Sequence, residues 1–351
     1  MAKKYLTQNP AATIDLTLEK LDTDRVLIVT DINVENAVLP LFDSSRVVSS
    51  CQRIAIKPGE EGKNLESVTQ VWDKLEEIGA TRRSIVLNIG GGVVTDLGGF
   101  AASTFKRGIR TVNFPTTLLG AVDAATGGKT GIDYKGLKNE IGAFHLPEKV
   151  ILSVLPFRSL PQREILSGYA EMVKTALISD RNFYLQLLEI DNILKDENLL
   201  GEAVEKCILF KDYVVDQDPK EAGLRKILNF GHTAGHAFES FRIRIGNAVT
   251  HGKAVAHGML VALILSNIKL GFPSMEVQFY SKFLKEHYGP ALIECSHVPE
   301  IIDLMAADKK NHSYGQPLFT LLKEIGSPEI NCIPSLNEIT EALEIYIDFM
   351  G

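Results

Sequence analysis

The sequence predicts an α/β protein in two parts: an N-terminal domain over residues 1–155 built on a mostly parallel sheet, and a C-terminal all-α domain over 156–351. Three observations predict it. Short apolar runs alternate with helical patterns as far as about Leu155, the rhythm of a sheet covered by helices on both faces. Beyond that point almost every segment has helical spacing. The length of 351 residues, 45% of them hydrophobic, is enough for two cores.

In chain order, VLIVTD (26–31) reads as a strand and NVENAVLPLF after it as a helix. RIAI (53–56) is strand-like and leads into PGEEGKN. LESVTQVWDKLEEIGA (65–80) places apolar residues at helical spacing. SIVLNI (84–89), TVNFP (111–115) and VILSV (150–154) read as buried strands. The helical half contains REILSGYAEMVKTALI, GEAVEKCILFKDYVV, RKILNFGHTAGHAFESF and GKAVAHGMLVALILSNIKL, with one strand signal, LFTLL, at 318–322.

Composition excludes several function classes. The formal net charge is -7 and no long block of like charge occurs, so neither nucleic acid nor an anionic membrane is expected as a partner. Cys51, Cys207, Cys295 and Cys332 form no CxxC pair, which argues against a disulfide framework or a thiolate zinc site and fits a reducing compartment. The N-terminus has two lysines and no apolar core, unlike a secretory signal. No apolar run is read as long enough to span a bilayer. The expectation is a cytoplasmic protein acting on a small molecule.

Gly90-Gly91-Gly92-Val93-Val94-Thr95-Asp96 follows a buried strand and precedes a helical pattern. Glycines admit close backbone approach, and a helix N-terminus offers unpaired N–H groups to phosphate. A GxGxxG turn would have glycine at Thr95, so a pyrophosphate cradle and a plain tight turn both remain open. Asp31 ends one strand and Thr116 and Thr117 follow another. These are positions for ribose and other ligand contacts, or for helix N-caps. The stretch 122–144 is rich in Gly, Lys, Asp and Asn, yet carries Val122, Ile132, Ile141 and Phe144. It reads as a functional loop pinned by apolar residues.

Arg225, Asn229, His232 and His236 fall at i, i+4, i+7 and i+11, a polar stripe if the segment is one helix. Gly231 and Gly235 each cost about 1 kcal/mol against alanine inside a helix, which suggests close approach of a ligand or another backbone. His251 opens a further helical segment, and Glu171 and Lys174 share a face of an otherwise apolar one. Two histidines and a carboxylate suit zinc with one position open. A salt-bridge network with core histidines is the bland alternative. HTAGH lacks the glutamate of HExxH, which disfavours a metalloprotease.

The motifs GGGVVTDLGGF, KRGIR, PTTLLGAVDAATGGKTG, LKNEIGAF, GYAEMVKTALI, GLRKILNFGHTAGHAFE and HGKAVAHGM, in this order, resemble the 3-dehydroquinate synthase family of sugar-phosphate cyclases. The match runs from about Pro58 to Gly258, with an echo at Asp308-Lys309-Lys310. The resemblance implies a Rossmann-like NAD+ domain, a C-terminal metal- and substrate-binding domain, and a divalent metal, usually zinc with cobalt as an alternative. It implies Glu171, His232 and His251 as metal ligands, with His236 beside the site. It assigns to substrate Asp123, Lys129, Asn139, Lys174, Lys211, Arg225, Asn229 and one of Lys309 and Lys310. Arg107 would reach the substrate phosphate of the neighbouring subunit in a homodimer. Glu60, Lys63, Gly92, Val93, Asp96, Thr116, Thr117 and Lys138 would hold the nucleotide, with Asp31, Gly91 and Lys129 as further candidates.

The implied reaction converts 3-deoxy-D-arabino-heptulosonate 7-phosphate to 3-dehydroquinate and phosphate, a step of the shikimate pathway. It proceeds by oxidation, phosphate elimination, reduction, ring opening and aldol closure. Departures from the family pattern are Thr95 for glycine, Ala124-Ala125-Thr126, and three extra residues before His251. The rivals are another sugar-phosphate cyclase, an NAD- and metal-dependent polyol dehydrogenase, and a non-catalytic nucleotide-binding regulator.

Overall fold

The structure is a computed structural model that describes residues 3–135, 137–307 and 317–351. The chain folds as two compact units: Met1–Pro161 with Glu197–Ile208, and Gln162–Asp196 with Leu209–Gly351.

In the first unit, strands β1 (Lys3–Leu6), β2 (Val26–Asp31), β3 (Gln52–Ile56), β4 (Ile85–Gly90) and β5 (Arg110–Pro115) are followed by a hairpin of β6 (Lys129–Tyr134) and β7 (Leu137–Phe144), then by β8 (Lys149–Leu152). Six of them form one sheet in the order β1-β8-β5-β4-β2-β3, and every pairing in it is parallel. Strand residues point alternately to opposite faces, and here both faces are apolar. Ile28, Leu87, Val112 and Phe114 join a core with Ile14, Leu18 and Phe42. Leu27, Val29 and Val86 join the other, with Val68, Leu75, Leu97 and Ala101. Burial on both faces is why these strands read as continuous apolar runs.

Several expectations need correction. The segment NVENAVLPLF splits into a helix, Ile32–Ala37, and a 3-10 turn, Leu39–Phe42, because Pro40 has no N–H to continue the helical ladder. The stretch 122–144 is no plain loop. A π-helical turn, Gly120–Ala124, precedes the antiparallel hairpin that pairs Lys129 with Phe144 and Ile132 with Ile141. Within that hairpin a Cβ on Gly131 would meet the Ile141 carbonyl at 2.7 Å, and one on Gly142 the Thr130 carbonyl at 2.3 Å. The glycines that suggested a loop are what let the strands close.

Among its described residues the second unit is helical apart from an antiparallel hairpin, β9 (Phe319–Leu322) with β10 (Pro328–Cys332). The first strand of that hairpin is the LFTLL signal. Helices Gln162–Ser179, His232–Arg244 and His251–Leu270 carry the candidate site. Contrary to the expectation of no membrane-length run, His251–Leu270 is long and apolar enough by length and composition to cross a membrane; 72% of its most apolar window is buried, as in a core helix.

Gly98 and Gly201 offer a paired stability test. A Cβ on Gly98 would lie 1.9 Å from Oδ1 of buried Asn88, so Gly98→Ala should lower stability by about 1–3 kcal/mol through overpacking. On Gly201, inside a helix, the nearest atom is Leu6 Cδ2 at 3.4 Å. Gly201→Ala should be neutral or stabilising by up to about 1 kcal/mol. Denaturant midpoints of the two variants check the contrast.

Candidate active site

Three helices of the second unit converge on Glu171. The side chain, 2% exposed, sits midway along Gln162–Ser179. Lys174, one turn on and equally buried, is ion-paired to its Oε2. Its Oε1 is buried with no hydrogen-bond partner. It lies 3.6 Å from His232 Nε2 and 3.7 Å from His251 Nε2, too far for hydrogen bonds. Two ligand atoms about 2.1 Å from a tetrahedral ion stand about 3.4 Å apart, so the separations fit a shared cation.

Ring nitrogens of His232, His236 and His251 also lie within 4.8 Å of one another, and the three rings stand 5.3–5.8 Å apart between centroids. The donor set of one orphaned carboxylate oxygen and imidazole nitrogens suits zinc or a similar divalent ion.

Each imidazole is held from outside. His232 Nδ1 is 3.2 Å from the Phe230 carbonyl oxygen. His251 Nδ1 is 3.1 Å from Glu239 Oε2. Burial works against charge on Glu171, but Lys174 and then His251 hold its carboxyl well below the usual carboxylate range. Burial likewise disfavours a charged His251, yet its contacts with Glu171 and Glu239 raise it to about 9.

The local fold corrects the stripe expected from Arg225 to His236. Leu224–Asn229 is a 3-10 turn, and the helix begins only at His232, after Gly231 at φ +77°. The left-handed backbone at Gly231 breaks the periodicity. Arg225 is buried and donates to the Pro219 carbonyl, while Asn229 donates to Glu221 Oε1 at 2.8 Å. The glycines answer to another backbone. A Cβ on Gly258 would meet the Gly231 carbonyl at 2.1 Å, one on Gly235 would meet Val255 Cα at 3.0 Å, and one on Gly252 the Ser167 carbonyl at 1.9 Å. Lys211 is buried on Glu197–Gln217. Lys309 and Lys310 lie outside the described residues.

In the first unit, Asp31 ends β2 and the Gly90-Gly91-Gly92 turn ends the adjacent β4. The helix Gly92–Thr104 starts there, with Val93 in its first turn. Asp31 does cap a helix, its Oδ1 accepting from Asn33 and Val34 N–H. Thr95 is buried and its hydroxyl donates to the Gly92 carbonyl at 3.1 Å, tightening the first turn. Thr116 N–H donates to the Gly90 carbonyl, and Thr117 Oγ1 accepts from Gly120 N–H. A Cβ on Gly91 would come 3.0 Å from Thr117, so the turn and the threonines are neighbours.

Buried Lys63 donates to Asp96 Oδ2 at 2.6 Å and to Asn139 Oδ1 at 2.7 Å. Glu60 lies by Lys63, Lys138 and Asp133; burial first, and then Asp133, raises its carboxyl despite the two lysines. Asp123 sits in the π-helical turn, while Lys129 and Lys138 are exposed on the hairpin. Arg107 is exposed at φ +69°, next to Lys106 at φ +48°, a strained turn of the kind functional sites retain.

Sequence reasoning missed Glu239, Glu221 and Asp133. Glu239 had a signal: it follows His236 at i+3 on the same helix. Glu221, at φ +60°, and Asp133 had none beyond being acidic.

Models of the 3-dehydroquinate synthase family match the chain: the N-terminal model over residues 53–167 and the C-terminal model over residues 168–311. The chain is 40% identical over 334 residues to the 3-dehydroquinate synthase of Parabacteroides distasonis, covering 95% of this chain and 94% of that one. It is also 40% identical over 324 residues to that of Thermococcus kodakarensis, covering 92% and 89%. Among solved structures it is similar to 2-epi-5-epi-valiolone synthase from Streptomyces hygroscopicus with NAD+ and Zn2+ bound, at TM-score 0.87 and 22% identity, covering 99% and 97%. It is similar also to a 2-deoxy-scyllo-inosose synthase complexed with carbaglucose-6-phosphate, NAD+ and Co2+, at TM-score 0.81 and 22% identity, covering 97% and 96%. At that identity the two structures bear on the fold.

A pH prediction follows from His251. Its folded value of about 9 lies above the ordinary 6.5, so the group favours the folded, metal-free protein most below pH 6.5 and loses that contribution as pH rises towards 9. In chelator, the stability difference between wild type and His251→Asn should shrink across that window. Denaturation midpoints measured at intervals of pH check it, and a difference that grows would contradict the assignment.

Proposed function

The chain belongs to the 3-dehydroquinate synthase family, and from that membership we propose how its residues divide the reaction. The activity is conversion of 3-deoxy-D-arabino-heptulosonate 7-phosphate to 3-dehydroquinate and phosphate, in the shikimate pathway. The enzyme is a phosphate-eliminating lyase that uses NAD+ and a divalent metal. When bound, NAD+ would supply reversible hydride transfer and the ion Lewis-acid polarisation of substrate hydroxyls.

Glu171, His232 and His251 hold the ion in this reading, and His236 serves substrate beside it. One observation carries the metal assignment: Glu171 Oε1 is buried and unpartnered between two imidazole nitrogens. Lys174, Lys211 and Arg225 supply positive charge for the substrate's carboxylate and phosphate, with Asn229 oriented by Glu221. Asp123, Lys129 and Asn139 contribute further substrate contacts, as does one lysine of the 309/310 pair.

The Gly90–Gly92 turn cradles the pyrophosphate at a helix N-terminus. Thr116, Thr117, Lys63, Asp96, Glu60, Lys138 and Asp31 complete the nucleotide site. Arg107, exposed and with no ion-pair partner among the described residues, would serve the substrate phosphate of a partner in a homodimer. The four cysteines, none in a CxxC pair, suit a cytoplasmic setting.

Phosphate release from 3-deoxy-D-arabino-heptulosonate 7-phosphate, with NAD+ and Zn2+, tests the activity. Turnover is expected without net NADH, and release from other sugar phosphates alone would overturn it. His232→Ala should lose bound metal and phosphate release together. His236→Ala should keep the metal yet lose turnover by roughly 10²-fold or more, the scale of a lost acid–base or positioning group. Metal analysis beside the phosphate assay separates the two roles, and unchanged metal in His232→Ala would reject the ligand set.

A further inference from the structure

We propose that Glu239 is a positioning residue for the metal centre: it holds His251 by Nδ1 and so presents Nε2 to the ion. This rests on the metal reading above and deepens it.

A neutral imidazole has one N–H and one lone pair. At His232 the partner of Nδ1 is a carbonyl oxygen, at 3.2 Å, which can only accept. Nδ1 therefore carries the hydrogen, and the Nε2 lone pair faces Glu171 Oε1 at 3.6 Å. At His251 the same polarity is imposed by a carboxylate, Glu239 Oε2, at 3.1 Å from Nδ1, leaving Nε2 at 3.7 Å from the same Glu171 oxygen.

The two rings differ in what restrains them. His232 bonds to backbone two residues before it, so its own turn fixes it. His251 is the first residue of its helix, and its side chain is 28% exposed. The contact that restrains this ring at Nδ1 comes from a side chain on another helix. Glu239 is suited to that: it is 8% exposed, on the helix His232–Arg244 that also carries His232 and His236. That helix and His251–Leu270 are locked together by the backbone contacts at Gly235 and Gly258.

Charge points the same way. Glu171 and Glu239 are two negative charges and Lys174 is one positive. A divalent ion added to these three groups leaves a single net positive charge among them. Removing Glu239 would double it, and uncompensated buried charge is strongly unfavourable. A carboxylate behind a ligating histidine also makes the ring a better donor.

The bland alternative is a pair that only stabilises the fold. Glu239→Gln keeps the shape and one acceptor oxygen but removes the charge, while Glu239→Ala removes both. After stripping the full-length protein with chelator, Zn2+ affinity is measured by competition with a chromophoric chelator. The visible spectrum of the Co2+-loaded protein and the melting temperature of the metal-free protein are recorded alongside. Glu239→Ala should bind Zn2+ about 10–100-fold more weakly, Glu239→Gln less so, with an altered Co2+ spectrum in both. A purely structural pair would move the metal-free melting temperature and leave Zn2+ affinity and the Co2+ spectrum at wild-type values; that result overturns the proposal. Glu239→Gln decides the matter alone if the alanine variant does not fold. Wild-type protein that takes up no Zn2+ would instead sink the metal reading itself.

Discussion

A buried carboxylate must be compensated, and that requirement at Glu171 organises the second unit. An isolated carboxylate at 2% exposure would neutralise or destabilise the fold. Lys174 meets one oxygen from the next turn of the same helix. The other oxygen is left bare between two imidazole nitrogens at distances no hydrogen bond reaches. A divalent cation would satisfy all three groups together. What the interior leaves unmet is one carboxylate oxygen facing two imidazole nitrogens, the arrangement on which the proposed metal site rests.

Such convergence demands that helices from distant parts of the chain come unusually close. Glycine makes this feasible. Gly252 lets the start of His251–Leu270 reach the Ser167 carbonyl, and Gly258 lets its middle reach Gly231 and Gly235. Ser167 completes the first junction by accepting from the Gly252 N–H through Oγ. A Cβ at either glycine would collide with the facing backbone, and Gly252 adjoins His251, so helix packing and the placement of His251 are one constraint. The first unit uses the same device at Gly98, seated on Asn88, and at Gly91 beside Thr117.

Much of this was legible in the sequence, for identifiable reasons. The inner strands were readable because burial on both faces makes them continuous apolar runs. Lys3–Leu6 was not, since an edge strand reading KKYL carries little pattern. The β6–β7 hairpin was hidden by its glycines and charges. The histidine pair stood out by spacing, and Glu171 by being an acid on an apolar helix. The stripe drawn through Arg225 failed because periodicity cannot register a single left-handed glycine. Glu239 went unread, despite its place one turn after His236, because a glutamate in mid-helix resembles an ordinary solvated residue until His251 is placed against it.

The central claim concerns where one ion sits, so the direct measurement is anomalous X-ray diffraction at the zinc absorption edge from crystals of the Zn2+-loaded protein. The account predicts one strong anomalous peak within about 2.0–2.2 Å of Glu171 Oε1, His232 Nε2 and His251 Nε2. A peak bound elsewhere, or one flanked by His236 in place of Glu171, would contradict it.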